Sequence, residues 1–301
     1  MLHSQPKKIK NSNGDRVFFA VNDIILVTSL LVVLLPVIYI VSSSFSDPSA
    51  VISGRVTLFP VDFSLEGYKA VFRYPTIMRG YMNSIFYTVA GSLLNIFMTV
   101  IAAYPLSRPK MFGRKLVMFL FTFTMIFNGG LIPSYLLASS LNLVNTRWVM
   151  LIPTAISAYN LIICRTFFQN NIPAELFEAA SIDGSNHIHF LWRIVLPLSK
   201  PILAVLLLYY AVSHWNQYFN AFIYLSNRDL FPLQITLREI LIRNTIDPSV
   251  AYDPQAEAVM QGLSELLKYS LIVVATVPFM IAYPFVAKHF VKGALTGAVK
   301  G

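Results

Sequence analysis

Residues 24–45 read IILVTSLLVVLLPVIYIVSSSF, a run without a single Asp, Glu, Lys or Arg. An α-helix needs about 20 predominantly apolar residues to cross the hydrocarbon core of a bilayer, which is roughly 30 Å thick. The run is too long for the apolar part of a secretory signal peptide and lacks an evident small-x-small cleavage site, so we expect it to stay as an anchor. It therefore predicts a membrane-spanning helix and decides the class of fold.

Five further stretches are long, apolar and free of Asp, Glu, Lys and Arg. They are residues 81–107, 116–138, 148–164, 202–225 and 269–287. Only 12% of the 301 residues are charged and 56% are apolar, whereas soluble domains carry about 25% charged residues. This composition excludes a soluble enzyme. We predict an all-α polytopic membrane protein in which residues 24–287 form a six-helix transmembrane domain.

The net charge of +9 is distributed unevenly over the segments between these spans. One side holds 14 basic and 5 acidic residues, in segments 1–23, 108–115, 165–201 and 288–301. The other side holds 9 basic and 9 acidic residues, in loops 46–80, 139–147 and 226–268. Basic residues accumulate in cytoplasmic loops, so we predict that the N-terminal segment 1–23 and the C-terminal tail 288–301 are both cytoplasmic. Membrane topology explains the basic charge, and no nucleic-acid partner is expected.

The predicted spans contain one residue that can ionise near neutral pH, His214. Ion-coupled pumps keep such groups in the bilayer to carry protons or ions, and a single histidine is more often hydrogen-bonded packing. The chain also lacks the G-x-x-x-x-G-K-[ST] sequence that cradles phosphate. We therefore expect energy to enter from a partner protein, with a self-sufficient secondary carrier or channel as the alternative. Cys164 is the only cysteine, which excludes an intramolecular disulfide and a cysteine metal cluster.

Residues 165–201, here called the EAA loop, read RTFFQNNIPAELFEAASIDGSNHIHFLWRIVLPLSKP. Pro173 suits the first position of a helix, and Gly184 can take the left-handed conformation that ends one. Pro197 would stop a second helical run that begins near residue 186. The pattern predicts two short helices around a tight turn. On these signals alone, an amphipathic connector lying on the membrane surface remains an equal alternative.

The same loop carries a spaced motif, EAA-x3-G-x9-I-x-L-P. Its residues are Glu178, Ala179, Ala180, Gly184, Ile194, Leu196 and Pro197. In this the chain resembles the permease subunits of binding-protein-dependent ATP-binding-cassette importers. Residues 214–225 (HWNQYFNAFIYL) and 290–301 (FVKGALTGAVKG) resemble the carbohydrate branch, in particular its maltose-permease smaller-subunit-like family. Residues 128–137 (NGGLIPSYLL) and 145–148 (NTRW) resemble the subgroup that imports aldouronate or alginate oligosaccharides.

The resemblance implies a bacterial inner-membrane subunit that imports an oligosaccharide and has no catalytic, metal or cofactor site of its own. It implies four kinds of partner besides lipid: a second homologous permease, two ATPase subunits that bind ATP and Mg, an extracytoplasmic binding protein, and the sugar. The EAA loop would be the coupling element, with Glu178 pairing to the ATPase, Ala179 at the close contact and Gly184 at the turn. A related importer for peptides or amino acids is the alternative within this family.

An oligosaccharide offers hydroxyls and apolar ring faces, so its path needs neutral hydrogen-bonding side chains and aromatic platforms. The fifth predicted span is rich in both. The candidates there are Tyr209, Tyr210, Trp215, Asn216, Gln217, Tyr218, Phe219 and Asn220, followed in rank by Asn128, Tyr159 and Asn160. Alternatively, the amides bond to neighbouring helices and the aromatic rings form an interfacial belt.

Two remaining signals are weaker. His187 and His189 are two positions apart and would lie on different faces of a helix, so no zinc site is expected. Loop 226–268 is long for a connection between helices. The resemblance implies that such a loop can reach the binding protein, with residues 251–261 as the candidate segment and surface packing as the alternative.

Overall fold

The computed structural model describes residues 12–242, 264–281 and 284. This part of the chain is helical and contains no β-strand, so the predicted all-α class is confirmed. The tail 288–301, the C-terminal motif and residues 251–261 lie outside the described residues, and the predictions made for them stay predictions.

The α-helices are numbered here in chain order. They are α1 (Asn13–Ser44), α2 (Pro48–Ile52), α3 (Glu66–Arg73), α4 (Pro75–Ser107), α5 (Arg114–Ile126), α6 (Leu131–Ser140), α7 (Ala158–Asn171), α8 (Ala174–Ile182), α9 (His187–Phe190), α10 (Leu196–Leu198), α11 (Lys200–Trp215), α12 (Phe219–Tyr224), α13 (Leu233–Ile242) and α14 (Ser264–Ile281). Two 3-10 helices, Arg147–Met150 and Arg228–Leu230, and a π-helical turn, Leu191–Val195, join some of them.

The first helix is longer than the span predicted for it. Ser12 accepts a hydrogen bond from the backbone N–H of Gly14 at 3.3 Å, and Asp15 accepts one from the N–H of Ser12 at 2.9 Å. This reciprocal cap satisfies donors at the helix start, so α1 begins 11 residues before the apolar run. Most of its apolar side chains are exposed, as expected for a surface that faces lipid.

The described residues fall into two compact units. The unit formed by residues 12–70 and 264–273 has a small core in which Ala50, Val51 and Val56 pack against Leu266. At Gly67 an added Cβ would lie 2.1 Å from the side-chain Oγ of Ser270. Only a glycine fits at this crossing.

The unit formed by residues 71–242, 274–281 and 284 is built around α4, which packs against α7, α11 and α13. Its largest core cluster lies where α4, α7 and α11 meet, and includes Val100, Leu161 and Leu206. Cys164 belongs to this cluster and is 0% exposed. This bundle positions the residues discussed below.

Two of the predicted continuous spans are broken. Residues 116–138 form α5 and α6, which meet at 117°, because Gly130 adopts a left-handed φ of +86° and Pro133 follows it. Residues 202–225 form α11 and α12, separated after Trp215 by a short non-helical stretch. Uninterrupted apolar composition therefore did not mean an uninterrupted helix.

The fourth predicted span is wrong as a helix over residues 148–164. The 3-10 helix Arg147–Met150 is followed by irregular backbone, and α7 begins only at Ala158. Pro153 disfavours helical geometry at the residue before it, and Ser157 then caps α7 by accepting from the N–H of Asn160 at 3.4 Å.

Within the described residues, three helices are long and apolar enough to cross a membrane: α1, α4 and α14. Two bent pairs pass the same test when each pair is taken together, α5 with α6 and the stretch His187–Leu198 with α11, the latter bent by 82°. Within the described residues, the predicted spans thus correspond to a mixture of straight and broken helices.

Candidate functional site

A polar cavity of about 300 Å³ lies between α4, the irregular segment before α7, α7 itself and α11. Its lining residues are neutral at pH 7 in their ordinary states. They are Asn95, Pro153, Thr154, Ile156, Ser157, Asn160, Tyr209, Tyr210, Ser213 and His214. The volume is at the lower end of the ~300–1,000 Å³ typical of ligand pockets.

The cavity wall is held by a hydrogen-bond network centred on His214, which is 4% exposed. The Nε2 atom of His214 lies 2.8 Å from the side-chain oxygen of Asn95, and its Nδ1 lies 3.2 Å from the side-chain oxygen of Gln217. The amide nitrogen of Asn95 donates to the backbone oxygen of Thr154. This donation orients the Asn95 oxygen toward the ring, so the histidine donates from Nε2. The interpretation of His214 as hydrogen-bonded packing is confirmed, and the residue also lines the cavity.

Gly91 makes room for that histidine. A Cβ on Gly91 would lie 2.4 Å from Nε2 of His214, which is far inside van der Waals contact. Gly91 and Asn95 are four residues apart on α4 and therefore share one helix face. The sequence interpretation did not single out either residue.

A second polar pair joins α4 to α11 beside the cavity. The hydroxyls of Thr99 and Tyr210 lie 2.7 Å apart, and both residues are buried. Buried polar groups without a partner are costly, so this pair stabilises the bundle and fixes the Tyr210 ring. The cavity thus presents amides, hydroxyls and two tyrosine side chains, which suits a neutral hydrogen-bonding ligand.

The structure brings some of the predicted pathway residues together at this cavity: Tyr209, Tyr210 and Asn160. Trp215 lies apart from the lining. It is 4% exposed, packs edge-on against Tyr81 and Phe279, and donates from Nε1 to the backbone oxygen of Ala275 at 3.0 Å. This buried packing differs both from a pathway role and from the interfacial belt that the sequence left as the alternative for the aromatic residues.

The remaining candidates of the fifth span also lie outside the cavity lining. Asn216 is exposed and donates to the backbone oxygen of Val212 in its own helix at 3.0 Å. The side-chain oxygen of Gln217 lies 3.2 Å from Nδ1 of His214. Tyr218 is 43% exposed, and the guanidinium carbon of Arg238 lies 5.8 Å from its ring centre. Asn220 and Phe219 lie in α12, with Phe219 exposed and Asn220 partly buried.

The second-rank candidates separate as well. Asn128 is exposed and its side chain accepts from the N–H of Gly130 at 3.0 Å, which shapes the break between α5 and α6. Tyr159 is 57% exposed, whereas its neighbour Asn160 is 6% exposed and faces the cavity. The pathway roles of these residues stay predictions.

Sequence interpretation missed Asn95, Ser213 and Thr154 as lining residues. The position of Asn95 in the middle of a long apolar span was a usable signal, because an amide in lipid must find a hydrogen-bond partner. The spacing of Tyr209, Ser213 and Asn216 on α11 could not distinguish residues that line the cavity from residues that pack elsewhere, because the bend that ends the helix has no signature in hydropathy.

The EAA loop forms the two short helices that the sequence predicts. Helix α8 begins at Ala174, so Pro173 is its N-cap residue and not its first helical residue as expected. Gly184 has a φ of +79° with nothing within 4 Å of where a Cβ would stand, and the predicted left-handed turn is confirmed. Glu178 and Ala179 are exposed, whereas Ala180 is buried in the core.

The second helical run extends further than expected. Pro197 does not stop it: α9 passes through the π-helical turn Leu191–Val195 into α10, which ends at Leu198. A π turn has already displaced the regular hydrogen bonds, so the proline costs no donor there. Ile194 and Leu196 pack against the core cluster, while Pro197 is exposed.

The loop is fixed to the end of α4 by an aromatic cluster. Nδ1 of His187 lies 3.1 Å from the hydroxyl of Tyr104, and the His187 ring stacks on Phe177 with centroids 4.3 Å apart. Phe190, fully buried, packs edge-on against Phe177 at 5.1 Å. This cluster joins α8, α9 and α4 into one piece, and it leaves the Glu178 face outward.

The exposed side of the loop also carries apolar residues that the motif does not include. Ile182, the last residue of α8, is 88% exposed, and Ile188 is 69% exposed. These two residues stand on either side of the turn at Gly184. Across the described part of the chain, no group of three or more His, Cys, Asp and Glu residues could hold a metal ion.

Residues 9–295 match the family model described as "Binding-protein-dependent transport system inner membrane component". The chain is 42% identical over 276 residues to the polygalacturonan/rhamnogalacturonan transport system permease protein YtcP of Bacillus subtilis (strain 168), covering 90% of this chain and 94% of that protein. It is 41% identical over 293 residues to Protein LplC of the same organism, covering 97% of each.

Among solved structures, the chain is similar to a subunit in the crystal structure of a bacterial ABC transporter involved in the import of the acidic polysaccharide alginate. The TM-score is 0.87 at 37% sequence identity, covering 94% of this chain and 100% of the other.

Proposed function

Because the chain belongs to the family of binding-protein-dependent transport system inner membrane components, we propose that it forms half of the transmembrane pathway of an ATP-driven importer for an oligosaccharide. Fragments of an acidic polysaccharide such as alginate, or aldouronates, are the substrate class we favour. The observation that carries the proposal is the likeness to the alginate importer subunit, with a TM-score of 0.87 and 37% identity over 94% of the chain. The relative that transports polygalacturonan and rhamnogalacturonan supports the same class.

The polar cavity supports a sugar pathway on chemical grounds. Its amides and hydroxyls can exchange hydrogen bonds with sugar hydroxyls, and Tyr209 offers an aromatic face to a pyranose ring. Its lining carries no carboxylate that would repel an acidic sugar. A volume of about 300 Å³ suits one sugar unit at a time, with the rest of the path supplied by the second permease.

The EAA loop supports energy coupling through separate ATPase subunits, which bind ATP and Mg. Glu178 and Ala179 are exposed on α8 while Ala180 holds the helix to the bundle, so the motif divides into a face for the partner and a face for the core. Small residues allow another backbone to approach closely, and the exposed carboxylate can accept charge-assisted hydrogen bonds.

We infer the orientation from the same contacts. Tyr104, at the end of α4 next to the basic loop 108–115, touches His187 of the EAA loop, so both loops lie on one side of the bundle. Because an ATPase works in the cytoplasm, we propose that this side of the bundle and both termini are cytoplasmic. The basic residues of the loop agree with this orientation.

The test is transport by the complete complex in proteoliposomes, with the second permease, the ATPases and the binding protein. We expect uptake of labelled oligogalacturonate or oligoalginate that requires ATP inside and binding protein outside. Maltodextrin and peptides of similar size serve as matched substrates.

Uptake of peptides in preference to the sugars would move the chain to another importer class. Accumulation by this chain alone, driven by an ion gradient without ATP, would establish a secondary carrier and end the proposal. Concentrative uptake of neutral maltodextrin but not of acidic sugars would keep the importer and reject the acidic substrate class.

A further inference from the structure

A second cavity, here called the basic groove, lies along the end of α4 beside the EAA loop and has a volume of about 660 Å³. Its walls include Phe97 and Ile101 of α4 and Leu191 and Trp192 of the EAA loop, and Arg108 and Lys110 lie at one end. Apart from that end the groove is apolar. The sugar pathway proposed above does not use it.

The groove follows α4, a helix long and apolar enough to cross a membrane. Phe97 and Arg108 are 11 residues apart in the sequence, which corresponds to about 16 Å along a helix. Half of a hydrocarbon core measures about 15 Å. The apolar wall therefore has the length of an acyl chain, and its cationic end lies where a bilayer presents phosphate groups.

The cationic end has unused hydrogen-bonding capacity. The Nε and Nη2 atoms of Arg108 are buried without a hydrogen-bond partner, and its guanidinium lies 4.9 Å from the ring centre of Tyr104 and 5.2 Å from that of Phe190. Lys110 is exposed. No carboxylate is among the residues that line the groove, so the two cations need an anion from elsewhere.

We propose that the basic groove binds one anionic phospholipid. The phosphate contacts Arg108 and Lys110, and an acyl chain lies along Phe97, Ile101 and Leu191. Basic pockets between transmembrane helices at the cytoplasmic surface suit acidic headgroups, and Trp192, 55% exposed, is placed as interfacial tryptophans are. An ATPase subunit fits less well, because a cytoplasmic protein does not extend to the depth of Phe97.

This lipid would touch both α4 and α9, and so would hold the EAA loop in place for its partner. The proposal concerns the bilayer and not the sugar. It can fail while the transport function stands, and the experiment below does not depend on the identity of the substrate.

The test places a benzophenone side chain at Ile101 in the assembled complex, in nanodiscs of phosphatidylethanolamine containing phosphatidylglycerol. After irradiation and denaturation, the intact mass of this chain shows what was captured. We expect a mass increment of phosphatidylglycerol well above its mole fraction in the disc. Leu93, exposed on the same helix outside the groove, is the control position and should capture lipids in proportion to their abundance.

The charge requirement is tested with Lys110→Gln, which should lower the preference for phosphatidylglycerol about fivefold, since a basic side chain near an anionic surface contributes about 1 kcal/mol. Lys115→Gln makes the same charge change in the same loop outside the groove and should leave the preference unchanged. Equal capture of the two lipids at Ile101, equal effects of the two lysine variants, or capture of another protein subunit at Ile101 would each overturn the proposal.

Discussion

The polar cavity and the EAA loop satisfy their polar groups in opposite ways. In the cavity, Asn95 and His214 are buried and bonded to each other. In the loop, Glu178 and Ala179 point outward, and only the inner face of α8 is packed. The cavity contact between Asn95 and His214 is thus made within the described chain, whereas the loop leaves one face of α8 exposed, as the coupling role proposed above requires.

One helix serves both regions. Asn95 and Tyr104 are nine residues apart on α4, about 14 Å along the axis, and one contacts the cavity histidine while the other contacts His187 of the loop. A rigid helix with both contacts can pass movement of the loop to the cavity. If the two regions have these separate roles, substitutions in the cavity should impair sugar uptake, and substitutions in the loop should impair binding or stimulation of the ATPase subunits.

The largest effect is expected from Glu178→Lys. Hydrogen bonds to charged groups contribute about 1.5–3 kcal/mol, so reversing this charge should weaken retention of the ATPase subunits at least tenfold while the permease stays in the membrane. Co-purification of the ATPase with tagged permease measures this retention. Glu175→Lys makes the same change one turn earlier on α8 and should retain most binding. Full retention by both variants would remove Glu178 from the interface.

Gly91→Ala should damage the cavity and spare the loop. The new Cβ would stand 2.4 Å from His214, forcing the ring away from Asn95 and leaving a buried amide unpaired at a cost of about 1–3 kcal/mol. We expect sugar uptake to fall about tenfold while ATPase subunits still co-purify. Alanine favours a helix over glycine, so a loss cannot come from helix propensity. Gly129→Ala, where nothing lies within 4 Å, is the control.

Substitutions at Gly184 test whether coupling requires the left-handed backbone of the turn or depends on side-chain contacts of the loop. Its φ of +79° is unfavourable for alanine by about 1–2 kcal/mol, whereas asparagine tolerates this conformation better. Gly184→Ala should therefore lower sugar-stimulated ATP hydrolysis about fivefold, and Gly184→Asn should recover much of it. Equal activity of both variants would mean that the turn is not required for coupling.

The smallest effect is expected from substitutions on α11 that distinguish a residue lining the cavity from one that does not. Tyr209→Phe removes one hydroxyl from the cavity, and a hydrogen bond contributes about 0.5–1.5 kcal/mol, so the half-saturating sugar concentration should rise about threefold. Asn216→Ala removes an amide that, among the described residues, donates to the backbone oxygen of Val212 in its own helix, and it should leave uptake unchanged. The reverse order would restore Asn216 as the pathway residue.

The fold class and the EAA loop were predictable from the sequence because their signals are local. Charge-free apolar runs report burial in lipid, and Gly184 occupies a position where the backbone must turn left-handed. The breaks were not predictable in the same way. Pro153 and Gly130 are present in the sequence, but a hydropathy average over a span does not register single residues. Whether the next helix continues in line or at 117° depends on tertiary packing.

The cavity was only partly predictable. Tyr209 and Asn160 were identified because polar and aromatic side chains within an apolar span must find partners or line a cavity. The packing of Trp215 was not predictable, because its indole N–H donates to the backbone oxygen of Ala275, 60 residues away in the sequence. Gly91 has no side chain, so nothing in its chemistry marked it as part of the site. Its role appears only when His214 is seen to occupy the space above it.

The burial of Cys164, the chain's single thiol at 0% exposure, makes this protein a ready host for site-directed labelling. Water-soluble maleimides have no native target on this subunit's described surface, so a cysteine introduced at position 182 or 188 can carry a fluorophore or spin label without prior removal of Cys164. Distances between two such labels would then follow the EAA loop through a transport cycle.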